Sequence, residues 1–222
     1  YPILKKSNKR NQRKNYHQLL KDAYDYPATA EEMEAKAVRW LAKELPLFKN
    51  VTKKLAAVYG CKNDKEAVDA AIREQWPLTD PVATTKQLNK AIKPIMQKYI
   101  VDVPKKHITE IIKTPSYLAV FLPSAAVQPF GTVTKKPFNI FFVTPNRDSS
   151  VVDAMQFLVH EEYGHCVHYT LTAFNQKNIA VKTENLLHGP VTEGLSFQRE
   201  LEFLQLVQEN EEAKRALKKV AD

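Results

Sequence analysis

Apolar residues recur every three or four positions from Tyr16 to Ile112, which is the period of an amphipathic α-helix. This pattern predicts three to five helices in the first half of the chain, with Trp40 packed inside. Four prolines punctuate the pattern and are expected to separate the helices: Pro46, Pro77, Pro81 and Pro104. Pro94 lies inside a further periodic run, where it is expected to kink or end a helix.

The pattern changes in the second half of the chain. The stretch from Thr114 to Gly131 contains three prolines and reads as a loop or an irregular strand. Phe138 to Val143 is rich in aromatic and β-branched residues and is the best strand candidate. Ser150 and Asp153 have the form of a capping box, and the run from Val151 to about Ala173 has no proline, so a helix is expected there.

A last helix is expected from about Val191 to Leu217. The chain therefore has the composition of a mostly α protein with a small β-sheet, an α+β class. We expect a helical, basic N-terminal region at residues 1–80 and a metal-binding catalytic region at residues 81–222, which could also form one continuous domain.

The 222 residues are 44% hydrophobic, enough for one sizeable core. No apolar run approaches the ~20 residues that cross a bilayer, so no membrane partner is expected. The net charge of +8 is concentrated in residues 5–14 and lacks interleaved aromatic residues, which disfavours nucleic acid as a partner. Cys61 and Cys166 form no CxxC pair, which indicates free thiols, a reducing compartment and hence a cytoplasmic location.

Four of the six histidines fall within one short stretch: His160, His165, His168 and His188. Histidine is a common zinc ligand, and a catalytic zinc site uses three protein ligands with one open position. Glu161 follows His160 directly and is the residue type that accepts a proton from an attacking water. The stretch therefore predicts a site for one zinc ion with a glutamate general base.

The spacing of the histidines leaves two ligand sets open. His160 and His165 are five residues apart, which places them about 140° apart on an ideal α-helix. A π-type bulge near Gly164 would bring them together, because residues i and i+5 meet in a π turn. Alternatively, Glu161, His165 and His168 lie at i, i+4 and i+7, on one face of a regular helix.

The last helix offers a third ligand. Glu193 is expected in its first turn, and Gly194 would allow that helix to pack closely against Gly164. Glu200 lies two turns further along the same face, where it could accept a hydrogen bond from a ligand histidine and fix its tautomer.

These residues resemble a known family. His160-Glu161 with Gly164-His165, followed by Glu193-Gly194 and Glu200, resembles the gluzincin-like domain of unknown function eight-eight-five, over roughly residues 80 to 210. That family has a Pro before the glycine, a second His at the place of Cys166 and a Trp at the place of Leu195. The resemblance implies a zincin-like metallopeptidase in which His160, His165 and Glu193 bind the metal and Glu161 is the base.

The predicted function is therefore that of a zinc-dependent hydrolase, a peptidase and in one form carboxypeptidase-like, acting on a peptide or small amide. Tyr163, His168 and His188 are candidates for stabilising the transition state or for a supporting role. The strand from Phe138 to Val143 could pair with an extended substrate. Two alternatives are a metal-dependent hydrolase of a non-peptide amide or ester, and a basic helical binding module with a degenerate site.

Overall fold

The structure is a computed structural model that describes residues 16–18, 21–22, 27–122, 124–133, 136–145, 149–184 and 189–221. The chain divides into two compact units, Tyr1–Asp69 and Ala70–Asp222. The boundary predicted between residues 80 and 81 falls within the second unit. All the described candidate site residues belong to that second unit.

The first unit is dominated by one long helix, α1 (Ala30–Tyr59). A capping box at Thr29 starts it, and Gly60 ends it with φ of 64°, a left-handed conformation that glycine adopts without steric cost. Contrary to the prediction, Pro46 does not separate two helices but lies inside α1. Trp40, predicted to be packed inside, is 62% exposed. Helix α2 (Lys65–Gln75) follows and crosses the boundary between the units.

Helix α3 (Pro81–Tyr99) is the first helix that lies wholly within the second unit, and Asp80 is its N-cap. Pro94 lies inside α3 and does not end it, although it removes one backbone hydrogen bond. Burial of the core-facing side of α3 offsets this loss: Leu88, Ile92 and Met96 are almost completely buried. Tertiary packing therefore overrides the local preference of proline.

Three strands form a mixed sheet: β1 (Thr109–Lys113), β2 (Ala125–Phe130) and β3 (Phe138–Val143). The order is β1-β3-β2, with β1 parallel and β2 antiparallel to β3. The prediction for β3 is confirmed at both ends, whereas the helical pattern extended to Ile112 was wrong over β1. Because β3 is paired on both sides, it has no free edge, and the expectation that it pairs with a substrate is wrong.

A helical rod follows the sheet. It consists of α4 (Val151–Leu158), a π-helical segment at Val159–Cys166 and α5 (Val167–Asn175), and the predicted capping box between Ser150 and Asp153 starts it. Both halves of the box are present, so the predicted start of this helix is confirmed.

Three more helices complete the second unit: α6 (Ile179–Glu184), α7 (Gly189–Glu209) and α8 (Glu211–Ala221). The predicted single last helix is interrupted at Asn210. The side chain of Asn210 accepts hydrogen bonds from the backbone of Glu212 and Ala213 and so caps the start of α8.

The core of the second unit lies between α3, the sheet, the π segment and α7. Its most buried large side chains include Phe141 from β3 and Tyr163 from the π segment. The structure confirms a mostly α protein with a small β-sheet. In the described parts of the chain, no helix is both long and apolar enough to cross a membrane.

Candidate metal centre

The π segment brings His160 and His165 together although they are five residues apart in sequence. The backbone N–H of Val167 donates to the carbonyl of Glu162, five residues back, where an α-helix would use the fourth. His160 and His165 consequently project toward one another, with ring centroids 5.0 Å apart and an interplanar angle of 72°. The π-type bulge that would unite them is thus present in the structure.

Glu193 reaches the same place from α7. Its carboxylate oxygens lie 3.2 Å from Nε2 of His160 and 3.4 Å from Nε2 of His165. Because α7 begins at Gly189, Glu193 is in its second turn and not in the first turn that the sequence suggested. His160, His165 and Glu193 are called the ligand cluster below.

The ligand cluster fits a zinc ion. One donor atom from each residue can be chosen so that all three lie within 4.8 Å of one another. Tetrahedral zinc with bonds of about 2.0–2.2 Å separates its ligands by about 3.4 Å, close to the two distances from Glu193. Charge-assisted hydrogen bonds are shorter, about 2.7–2.9 Å. The donor types and their separations are compatible with one shared ion, and Nε2 of His160 also lies within hydrogen-bond distance of Glu193.

The rival set of Glu161, His165 and His168 does not converge in this way. Among the residues that the structure describes, the ligand cluster is the one group of three His, Cys, Asp or Glu residues with donors close enough to share an ion. Glu161, His165 and His168 would share one face only in a regular α-helix. The π segment has more residues per turn, so these three side chains no longer point in the same direction.

Glu200 contacts His160 at the ring nitrogen that does not face Glu193. Its Oε1 lies 2.6 Å from Nδ1 of His160, and its Oε2 accepts a hydrogen bond of 2.8 Å from Gln156. If Nδ1 carries the proton and donates it to Glu200, the Nε2 atom, which faces Glu193, is left with a lone pair that an ion could use. This is the arrangement that the sequence suggested for Glu200, and it is common around metal-binding histidines.

A glycine allows α7 to approach the π segment. A Cβ atom placed on Gly164 would lie 2.6 Å from Cβ and 2.7 Å from Cα of Ser196, distances that no packed structure tolerates. The expected partner, Gly194, has nothing within 4 Å of such an atom, so that expectation was wrong about the residue on α7. Ser196 lies on the same helix as Glu193, so this close approach sets how near Glu193 can come to the π segment.

No protein-family model, no curated protein and no solved structure matches this chain. The chemistry of the ligand cluster is therefore inferred from its own donors and geometry.

The pKa of Glu161 is raised and the pKa of His165 is lowered from their ordinary values. Burial raises the pKa of Glu161 to about 7; the charges of Glu193 and Glu200 add to this and His160 opposes it. Burial also lowers the pKa of His165 to about 4, which the charge of Glu193 partly offsets. His165 is therefore neutral at pH 7, as a metal ligand must be.

These two shifts predict opposite effects on the stability of the metal-free protein. The pKa of His165 falls from 6.5 to about 4 on folding, so stability declines as pH drops from 6.5 to 4. The pKa of Glu161 rises from 4.5 to about 7, so stability declines as pH increases from 4.5 to 7. Each contribution is on the order of 3 kcal/mol, and over the shared window they largely cancel.

Replacing Glu161 with glutamine should therefore reveal the pH dependence of the unfolding free energy that is due to His165. In urea denaturation of chelator-treated protein, the free energy of unfolding of Glu161→Gln is expected to rise by about 3 kcal/mol from pH 4 to 6.5, more steeply than that of the wild type. The same change at the exposed Glu110 of β1 is the control and should leave the profile unchanged. Equal slopes in Glu161→Gln and wild type would contradict the raised pKa of Glu161.

The remaining sequence candidates have different placements. Tyr163 is buried in the core and its hydroxyl donates to Asn89 at a distance of 2.5 Å, which is a packing role. His168 is partly buried and lies 6.0 Å from the ring of Tyr169. His188 lies outside the described residues. The thiol of Cys166 is buried, and burial raises its pKa, which makes it a poor nucleophile.

Two residues that contact the π segment were missed by the sequence reasoning. Tyr169 stacks on His165 with centroids 5.9 Å apart and planes 11° apart; its position four residues after His165, on the same helical face, could have indicated it. His107 bonds to Glu162 inside the protein, and nothing in the local sequence around His107 indicates this long-range contact.

Proposed function

We propose that this chain is a zinc-dependent hydrolase that cleaves peptides. The observation that carries the proposal is the ligand cluster, where two imidazoles and a carboxylate from separate helices meet at the spacing of ligands around one zinc ion. When bound, zinc supplies Lewis acidity and lowers the pKa of a coordinated water toward neutrality.

Glu161 is proposed as the general base. It directly follows the ligand His160, and the charges of Glu193 and Glu200 both act on it. In the metal-free protein the raised pKa makes Glu161 a stronger base than an ordinary glutamate, and a group with a pKa near 7 can both take up and release a proton at neutral pH. Glu161 would accept the proton of the attacking water and pass it to the leaving amine.

An extended peptide would bind along β2. This strand lies at an edge of the described sheet, opposite β1, and packs against the π segment that carries His160 and His165. Backbone groups at a strand edge form hydrogen bonds to any extended chain, whatever its side chains. Pro129 removes one donor from this edge, which leaves an incomplete ladder. An extended peptide fits this edge better than a compact amide or ester would.

The proposal is tested by peptide hydrolysis with the zinc-loaded protein. A mixed peptide library should be cleaved by the wild type, and Glu161→Gln should reduce the rate about 10²–10⁴-fold because the base is lost while the metal ligands remain. Elemental analysis should find the same zinc content in both proteins. Zinc-loaded wild type that leaves every peptide intact, or a Glu161→Gln variant that cleaves at the wild-type rate, would overturn the proposal.

A further inference from the structure

A chain of buried polar side chains lies on the side of the π segment away from the ligand cluster. His107, in the loop before β1, has a side chain that is 1% exposed. Its Nε2 lies 2.9 Å from Oε1 of Glu162 and its Nδ1 lies 2.9 Å from Oγ1 of Thr170. Asn139 of β3 donates to the same Thr170 oxygen at 3.2 Å. The chain thus links the sheet region to both the π segment and α5.

The hydrogen bonds follow one consistent direction. With His107 neutral and its proton on Nε2, Asn139 donates to Thr170, Thr170 donates to Nδ1 of His107, and Nε2 donates to Glu162. The hydroxyl of Thr109, in β1, also lies 3.1 Å from Nε2 of His107. In a buried environment such bonds are stronger than in water, and removing one member leaves its partners unsatisfied.

Two members of this hydrogen-bonded chain, Glu162 and Thr170, lie on helical segments, and their alignment depends on the π segment between them. Glu162 and Thr170 are eight residues apart, which places them about 80° apart on an ideal α-helix. A π turn holds about one residue more than an α turn. With that extra residue between them, the angle between Glu162 and Thr170 falls to about 20°, and one imidazole can contact both. The same wide turn brings His160 and His165 together on the opposite side.

Glu162 takes part in both the π turn and the buried hydrogen-bonded chain. Its backbone carbonyl accepts the i+5 hydrogen bond from Val167 that defines the π turn, and its side chain is held by His107. A return to regular α-helical hydrogen bonding would rotate Thr170 out of line with Glu162 and break the buried chain. That break would leave Nδ1 of His107 without its partner in the core, or Oε1 of Glu162 if the imidazole followed Thr170, at a cost of about 1–3 kcal/mol.

We propose that the buried chain of His107, Glu162, Thr170 and Asn139 holds the π segment in its wide register and thereby positions His160 and His165 for metal binding. His107 is a positioning residue, since it acts on the ligands only through the helix that carries them. The metal-binding part of this inference rests on the proposed function, whereas the effect on the π segment does not.

Two isosteric substitutions provide a matched test. Thr170→Val removes the hydroxyl between Asn139 and His107. Thr144→Val removes another buried hydroxyl, which bonds to Thr114 and to the carbonyl of Leu122 away from the π segment. Both variants lose two hydrogen bonds, so both are expected to be destabilised to a similar extent by urea denaturation. Only Thr170→Val should disturb the metal ligands.

The first readout is cobalt(II) titration, followed by the visible absorption of the bound ion. Thr170→Val should bind cobalt about 10- to 100-fold more weakly than wild type, the usual effect of losing a supporting contact around a metal site, and its spectrum should change. Thr144→Val should match wild type in both. Equal cobalt affinity and equal spectra in all three proteins would overturn the positioning role.

The second readout is amide hydrogen exchange in the metal-free protein. Exchange across residues 159–167 should be faster in Thr170→Val than in Thr144→Val, because the π register is no longer fixed. Equal exchange in the two variants would overturn the inference about the π segment. Wild-type protein that binds no cobalt would instead refute the proposed metal site, and the exchange result would still decide whether the buried chain fixes the helix.

Discussion

His160→Ala should abolish zinc retention, taking the purified protein from about one zinc per chain to almost none. In the proposed zinc site His160 supplies one of three donors, and a site of two donors on separate helices would lack the affinity to survive dialysis. Glu193→Ala should have the same effect because it removes the only described ligand from α7. The measurement is elemental analysis after resupply of zinc, with circular dichroism to confirm that each variant is folded.

His168→Ala is the matched control for this experiment. It removes a histidine from the same helical rod but outside the ligand cluster, so zinc content should stay at the wild-type level. The control also separates the two ligand sets that the sequence left open. Loss of zinc in His168→Ala, with retention in His160→Ala, would favour Glu161, His165 and His168 and refute the ligand cluster.

Much of the candidate site could be predicted because its determinants are local. The five-residue spacing of His160 and His165, with a glycine between them, indicated that a regular α-helix would not bring these two together and offered a π turn as one of two solutions. The strand at Phe138–Val143 and the cap at Ser150 followed from short patterns of side chains. Each of these predictions depended on residues within one turn or one strand.

What could not be predicted depends on contacts between distant parts of the chain. Pro46 and Pro94 remain inside helices, although local preference opposes them. The central position of β3 follows from pairing with strands on either side of it in space. His107 reaches Glu162 across 55 residues, and no spacing rule connects two such positions. The sequence also identified the wrong residue of α7 as the one that meets Gly164.

Gly164→Ala should destabilise the protein and weaken metal binding, although Gly164 has no donor side chain. The added methyl group would meet both Cβ and Cα of Ser196, so part of the overlap is with backbone and cannot be relieved by a rotamer change. The helices must move apart, which typically costs about 1–3 kcal/mol in a packed core. Because Glu193 is carried on the same helix as Ser196, its carboxylate would move away from His160 and His165.

Gly194→Ala is the matched control and should have the opposite sign. Gly194 is also helical, but nothing lies within 4 Å of an added Cβ, so alanine should stabilise α7 by about 0.5–1 kcal/mol through backbone entropy. Urea denaturation measures both effects and zinc titration measures the consequence for the ligand cluster. Ser196→Ala should fail to rescue Gly164→Ala, since Cα and Cβ of residue 196 remain in place. Wild-type zinc affinity in Gly164→Ala would show that the ligand cluster does not depend on the close approach of α7 to the π segment.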